Sequence, residues 1–346
     1  MQAPEQKTLD LYPIDYPFET LVNRINAAEP KLILSPEFQR KYKWDKEGWE
    51  RASKFIESCL MRIPLPSCYF AEDDQGRHFV IDGVQRLTTI TRFFNDDFAL
   101  EGMTTFKELE GKKFSSLGEY RAELEASTIR CIVLRKSNAK SIVSEIFSRL
   151  NQGAVSLSAQ EVRHALFPGK FDELLSELAQ LDAIAHFGLG PASTFQKDSR
   201  EGEEQVLRYF AFRGSLDAYD GRRLSKFLDE FMASKSDVAS EDIEKLRLGF
   251  KKSLARCEAV FGDEVFVDTS KSRTRQGMVY YDLLMQSLAD VSDKTVAAKK
   301  AKIKAAFTKL LGSAAFQKTL SGGLQNKASI LRRRDLWDKL LKDALA

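Results

Sequence analysis

Val80-Ile81-Asp82-Gly83-Val84-Gln85-Arg86-Leu87-Thr88-Thr89-Ile90 is the stretch on which the first half of the chain turns. An apolar run ends in Asp-Gly, a tight-turn dipeptide, and the residues after it read as a helix. Gly83 can take a positive φ or let a ligand approach its backbone. Open amides at a helix start favour an anion, and Arg86 adds a forked donor, so the turn is a candidate phosphate cradle. The plainer reading is a strand-turn-helix joint whose arginine pairs with Asp82. The local sequence leaves both open.

Outward from this turn, the segments alternate between strand and helix. Leu11 to Pro17 reads as extended, with two prolines opposing a helix, and Phe18 to Ala28 has a helical face through Leu21, Val22 and Ile25. A short strand follows at Lys31 to Leu34. Asp45 reads as the cap of a helix running to about Arg62, with Trp49, Ala52, Phe55, Ile56, Cys59 and Leu60 as its buried stripe. Ser67 to Ala71 and His78 to Ile81 form a hairpin around Glu72-Asp73-Asp74-Gln75-Gly76. That acidic trio is too short and turn-like for an EF-hand, so it is expected to face solvent. Ile129 to Leu134 is the last clear strand.

From Ser141 the periodicity becomes helical. Ser158 and Glu161 have capping-box spacing. Helices are expected over Phe171 to Phe187, Glu203 to Phe212, Leu224 to Met232, Ile243 to Phe261, Val279 to Leu288, Ser292 to Leu311 and Lys327 to Leu345. The division predicts an α+β chain, with an α/β domain over 12–138 and a predominantly helical domain over 139–346.

The 346 residues, 43% of them hydrophobic, suffice for two cores. A net charge of +3 conceals an imbalance. Ser270–Ala346 holds 16 Lys and Arg against 6 Asp and Glu, while the preceding residues sum to −7. The basic end either meets an anionic partner or docks on the acidic body. Its clusters are Lys271, Arg273 and Arg275, then Lys299, Lys300, Lys302 and Lys304, then Arg332, Arg333 and Arg334. Such groups neutralise DNA phosphates without reading bases, and they also occur as solvated helix faces.

Four dispersed cysteines and no secretory leader point to buried free thiols and a cytoplasmic protein. No apolar run is long enough for a membrane span. The three histidines lack ligand-like spacing, so no structural zinc site is expected. His164 reads as a packed or partly exposed residue without an orienting partner. The sequence contains no Walker loop, no H-E-x-x-H and no G-x-S-x-G.

Two polar turns carry the remaining chemistry: Phe38-Gln39-Arg40 with Trp44, and Asp82-Gly83-Val84-Gln85-Arg86. If they converge, Arg40 and Arg86 would cover a phosphate and Gln39 and Gln85 would fix a base or ribose. Asp82 would then orient water or hold a divalent ion.

The ordered islands Phe38-Gln39-Arg40, Trp44, Ile63-Pro64-Leu65-Pro66, Ile81 to Ile90 and Phe147-Ser148-Arg149-Leu150-Asn151 resemble the N-terminal domain of GmrSD-type restriction systems, within the wider ParB/sulfiredoxin-like group. Gly153, Leu157, Gln160, Glu161 and Arg163 extend the likeness, which covers about residues 12 to 180. It implies a ParB/sulfiredoxin-like first domain and a nucleotide-responsive role in bacterial defence against phage or modified DNA. The implied cofactors are a nucleoside triphosphate and Mg²⁺. The implied catalytic pair is Asp82 and Arg86, with Asp82 also the metal ligand. The nucleotide contacts would be Gln39, Arg40, Gly83, Gln85, Arg86 and Thr88. Trp44, Asn151, Gln160, Glu161 and Arg163 would support the pocket. Val84 stands where the family usually has glutamine and cannot supply that amide's donors or acceptor. That departure leaves two outcomes, a domain that hydrolyses the nucleotide or one that only binds it. The expected function is an NTP-binding, DNA-associated regulator or subunit of a defence system, with NTP hydrolysis as its candidate activity and a nuclease or other defence subunit as partner. A non-enzymatic DNA- or protein-binding scaffold is the alternative. A metal-dependent nuclease ranks lowest, because no second metal-binding cluster is visible in the sequence.

Overall fold

The computed structural model describes residues 9–34, 42, 44–45, 48–150, 158–188, 200–270 and 276–346. The chain divides into two compact units, Met1–Ser156 and Leu157–Ala346. The first mixes strands and helices and the second is helical, which is the α+β architecture expected from the periodicity.

In the first unit, strands β1 (Leu11–Pro17), β2 (Leu32–Ile33), β3 (Cys68–Glu72), β4 (His78–Asp82) and β5 (Thr128–Leu134) form a sheet in the order β1-β5-β3-β4-β2. β1 runs antiparallel to β5, β5 parallel to β3, β3 antiparallel to β4, and β4 parallel to β2. Pro13 and Pro17 lie on β1, an edge strand, where a missing amide proton is tolerated. The β3–β4 turn is held by Asp73, whose Oδ1 accepts from the amides of Gln75 and Arg77 at 2.9 and 2.7 Å. Arg77 also pairs with Asp73, so this acidic turn is a local brace.

Helices α1 (Phe18–Asn26), α2 (Glu50–Leu60), α3 (Val84–Phe94), α4 (Tyr120–Ala126) and α5 (Lys140–Leu150) complete this unit. Phe18, Leu21, Ile56, Phe70, Leu87, Ile90, Phe93 and Val133 are buried in its core. α2 does not start from an Asp45 cap. It begins at Glu50, and Asp45 instead accepts from Arg92 Nη1 at 2.9 Å. The excursion between α3 and α4 is fixed by buried Glu57. Its carboxylate accepts from the amides of Thr104, Thr105 and Phe106 at 2.9, 2.6 and 3.1 Å and from the Thr104 hydroxyl at 2.9 Å.

The second unit contains α6 (Ala159–Leu166), α7 (Lys170–Ala179), α8 (Asp182–Ala185), α9 (Glu201–Ser215), α10 (Leu224–Ala233), α11 (Ser240–Phe261), α12 (Met278–Ser287), α13 (Asp293–Leu311), α14 (Ala314–Lys318) and α15 (Lys327–Leu345). The capping box at α6 forms as its spacing predicts: Ser158 Oγ accepts from Glu161 N, and Glu161 accepts from Ser158 N. Phe210, Phe250, Tyr281, Phe307 and Trp337 are buried in one continuous core. The expected helix Phe171 to Phe187 is broken at Gln180-Leu181 into α7 and α8. All four cysteines are buried and free. Among the described residues no helix is long and apolar enough to cross a membrane.

Candidate metal centre

Gly83 forms the joint between β4 and α3. Its φ is +100°, a left-handed conformation that a side chain disfavours. A Cβ built there would lie 2.3 Å from Cys68 Sγ, so packing as well as conformation demands glycine. Arg86 folds back over this turn. Its Nη2 lies 2.8 Å from Asp82 Oδ2, and its Nη1 donates to the Pro66 carbonyl. Arg86 thereby ties the Asp-Gly turn to Ile63-Pro64-Leu65-Pro66, and its guanidinium is satisfied from within the fold. Val84 packs against the core of the unit. Thr88 is buried, and Gln85 lies half-buried on the first turn of α3. Trp44 packs on Phe55 with ring centroids 5.4 Å apart, and the Arg51 guanidinium lies over the Trp44 ring, 5.3 Å from its centroid. Asp82 belongs to no group of three metal donors among the described residues. Gln39, Arg40 and Asn151 lie outside the described residues.

The other residues proposed to support the pocket are in the second unit. Arg163 is fully buried, with Nε 2.6 Å from Asp229 Oδ1 and Nη1 2.8 Å from Glu204 Oε2 and 3.1 Å from Gln160 Oε1. It therefore organises α6, α9 and α10. Gln160 and Glu161 are buried beside it.

The same turn of structure brings together three groups that the sequence did not connect. His164 on α6, Asp172 on α7 and Glu203 on α9 each offer a ligand atom, and all three atoms lie within 4.8 Å of one another. His164 Nδ1 is 2.6 Å from Asp172 Oδ2, while Asp172 Oδ1 is buried without a hydrogen-bond partner. The Asp172 side chain is only 4% exposed, whereas His164 is 33% exposed and opens one side of the cluster. Glu203 accepts from Ser176 Oγ at 2.9 Å and from Arg200 Nη1 at 2.6 Å to each oxygen.

The electrostatics follow from this crowding. Burial pushes the Asp172 carboxyl above its usual range; His164 opposes that effect and Glu203 adds to it. Burial alone would lower the His164 pKa, but the Asp172 and Glu203 carboxylates outweigh it and raise it. An imidazole with two carboxylates is a mixed nitrogen-oxygen donor set suited to a divalent transition ion such as Mn²⁺ or Zn²⁺. The unpaired Asp172 oxygen fits such a group. A buried acceptor left without a donor is costly, and a cation would satisfy it.

The basic end divides into exposed and inward-facing groups. Lys300, Lys302 and Arg332 are exposed, and Lys299 is half-exposed. Arg333 points inward, donating to the Thr319 carbonyl at 3.0 Å and to the Leu324 carbonyl. Arg334 is half-buried and approaches the Phe212 carbonyl at 3.5 Å. Lys271, Arg273 and Arg275 lie outside the described residues.

Residues 18–168 match the GmrSD restriction endonuclease N-terminal domain. A GmrSD-type N-terminal domain is thus present, and it associates the chain with restriction systems. Comparison with curated proteins and with solved structures finds no match to the chain.

This domain and the buried cluster correct the enzymatic expectation. The motif reading placed a nucleoside triphosphatase above a nuclease because it found no second metal-binding cluster. The restriction-endonuclease domain and the His164–Asp172–Glu203 group point to nuclease-type chemistry instead. His164 also has the carboxylate partner that its sequence context did not reveal. One sequence signal was available: Asp172 is an acid set among the buried Phe171, Leu174 and Leu175 of α7.

Proposed function

We propose that the protein is a DNA-acting component of a restriction-type defence system, and that it hydrolyses phosphodiesters with a divalent cation held by His164, Asp172 and Glu203. The observation that carries this reading is the Asp172 carboxylate, buried with one oxygen unpartnered beside two further donor groups. The GmrSD-type domain supports DNA as the substrate class. Kinship to ParB and sulfiredoxin rests on the ordered sequence motifs alone.

A bound dication supplies Lewis acidity and a more acidic water. The chain's own part is to hold the donors. Asp172 is fixed by burial, and His164 borders the open side. Arg200 and a dication compete for the Glu203 carboxylate. With a cation held there, the Arg200 guanidinium would be left as a forked donor suited to a phosphate oxygen.

The competing reading is a DNA-binding scaffold without catalysis. The Arg200–Glu203 pair favours it, because that pair already neutralises one of the three ligands. Incubating the purified chain with duplex DNA and Mn²⁺ or Mg²⁺ separates the two. Nuclease function requires cleavage that EDTA abolishes and that Asp172→Asn reduces at least a hundredfold. DNA association without cleavage under any divalent ion would leave the scaffold.

A further inference from the structure

α13 carries an exposed lysine face. Val296, Ile303, Phe307, Leu310 and Leu311 are buried and fix the rotation of the helix. At about 100° per residue, Lys294, Lys302 and Lys309 fall within one arc on the opposite side. All three are exposed, and among the described residues none has a carboxylate partner. Ala298, Ala301 and Ala305 lie between them, also exposed, and add no bulk. From Lys294 to Lys309 the face extends roughly 22 Å at 1.5 Å per residue.

An ordinary solvated helix face balances its charges. α11 does so: Lys245 pairs with Asp242, Arg247 with Glu244 and Glu177, and Lys251 with Glu177. α13 contains one acid, Asp293, and Arg256 holds it at 2.6 Å. Lys304 is drawn aside to Glu264. On the flank of the face, the Lys302 charge holds Lys299 below its usual pKa, as expected where cations crowd.

We propose that the Lys294–Lys302–Lys309 face of α13 binds the phosphate backbone of duplex DNA without reading its sequence. The occupant follows from charge complementarity, from the length of rigid unpaired cationic helix, and from the restriction-type domain on the same chain. Duplex DNA presents about one charge per 1.7 Å of axis, so this face would span several phosphates. The inference shares with the nuclease reading only the choice of DNA as partner, and it places that DNA on a named surface.

The test uses the full chain and a fluorescein-labelled duplex, with binding followed by anisotropy in EDTA across a KCl series. Each lost phosphate contact lowers the slope of log K against log salt by about 0.9. The variant Lys294→Gln/Lys302→Gln/Lys309→Gln should therefore reduce the slope by about 2 to 3 and weaken binding at least tenfold at low salt. Lys302→Gln alone should reduce it by about 0.9. The control Lys226→Gln/Lys245→Gln/Lys339→Gln removes the same net charge from lysines already paired with acids. It should leave the slope unchanged. Equal slopes for the wild type and the α13 variant, or equal losses in the variant and the control, would overturn the proposal. So would lysine-dependent binding to phosphatidylserine vesicles with none to DNA. Because EDTA removes the cation, failure here leaves metal-dependent cleavage standing. Conversely, α13-dependent binding without any cleavage would remove the nuclease reading alone.

Discussion

Gly83→Ala is the sharpest structural perturbation of the turn from which the first unit is read. Two costs combine. An L-residue in the left-handed region costs about 1–2 kcal/mol, and Gly83 has φ +100°. The new methyl would also sit 2.3 Å from Cys68 Sγ and 3.0 Å from Cys68 Cβ. Cys68 is fully buried on β3, opposite Cys131 on β5, so the sulfur cannot retreat without moving the sheet. Overpacking of this kind costs about 1–3 kcal/mol. The expected destabilisation of the first unit is therefore about 2–5 kcal/mol. Hydrogen-exchange mass spectrometry on peptides covering β4 and α3 measures it in that unit, without requiring the whole chain to unfold in one step. Adding Cys68→Ala removes the struck sulfur and should return the packing part, leaving the backbone part. A loss below about 1 kcal/mol, or one that Cys68→Ala does not relieve, would mean that neither the backbone nor the Cys68 contact constrains position 83 in this way.

Further outcomes follow from single contacts. Glu57→Ala strands three amides that now donate to one buried carboxylate, and should lower first-unit stability by about 2–4 kcal/mol; urea titration reads the loss, and a neutral result would mean the 104–106 loop is not held there. The His78 pKa lies below its usual value because burial, and then Arg24, disfavour its charged form. The unfolded chain therefore takes the proton first, and stability is full above about pH 6.5 and falls as pH drops below it. Melting curves at pH 7.5 and 5.5 should diverge more for the wild type than for His78→Gln, and parallel curves would contradict the assignment. Arg200→Gln frees Glu203 from its competing cation and should tighten Mn²⁺ binding several-fold by calorimetry, whereas weaker binding would mean that Arg200 organises the site.

Most of the fold was legible because its signals are local. The Ser158–Glu161 box, the Asp-Gly joint and the helical periods of α9 to α13 each declare themselves within a few residues. Asp45 misled because an acid before an amphipathic run looks like a cap, yet Arg92 captured it. The run Arg332-Arg333-Arg334 looked like one patch. Successive helical residues are about 100° apart, so the three cannot share a face. Arg333 lies among the buried residues Ile330, Trp337 and Leu341, Arg334 is half-buried, and Arg332 is exposed.

The candidate metal centre was not legible for a different reason. His164, Asp172 and Glu203 come from three helices, and no local spacing connects them. The contact exists only after Arg163 ties α6 to α9 and α10, and α7 packs on the aromatic core. At the Asp-Gly turn the sequence left two readings open, and the Arg86–Asp82 pair with the Pro66 carbonyl is the arrangement that the plainer one predicts.

The nuclease reading stands on Asp172 as a metal ligand. Isothermal titration of Mn²⁺ into the wild type and into Asp172→Asn tests it directly. The wild type should bind at one site per chain and the variant should lose that site, with its helical fold retained by circular dichroism. No binding to the wild type, or equal binding to both proteins, would contradict it.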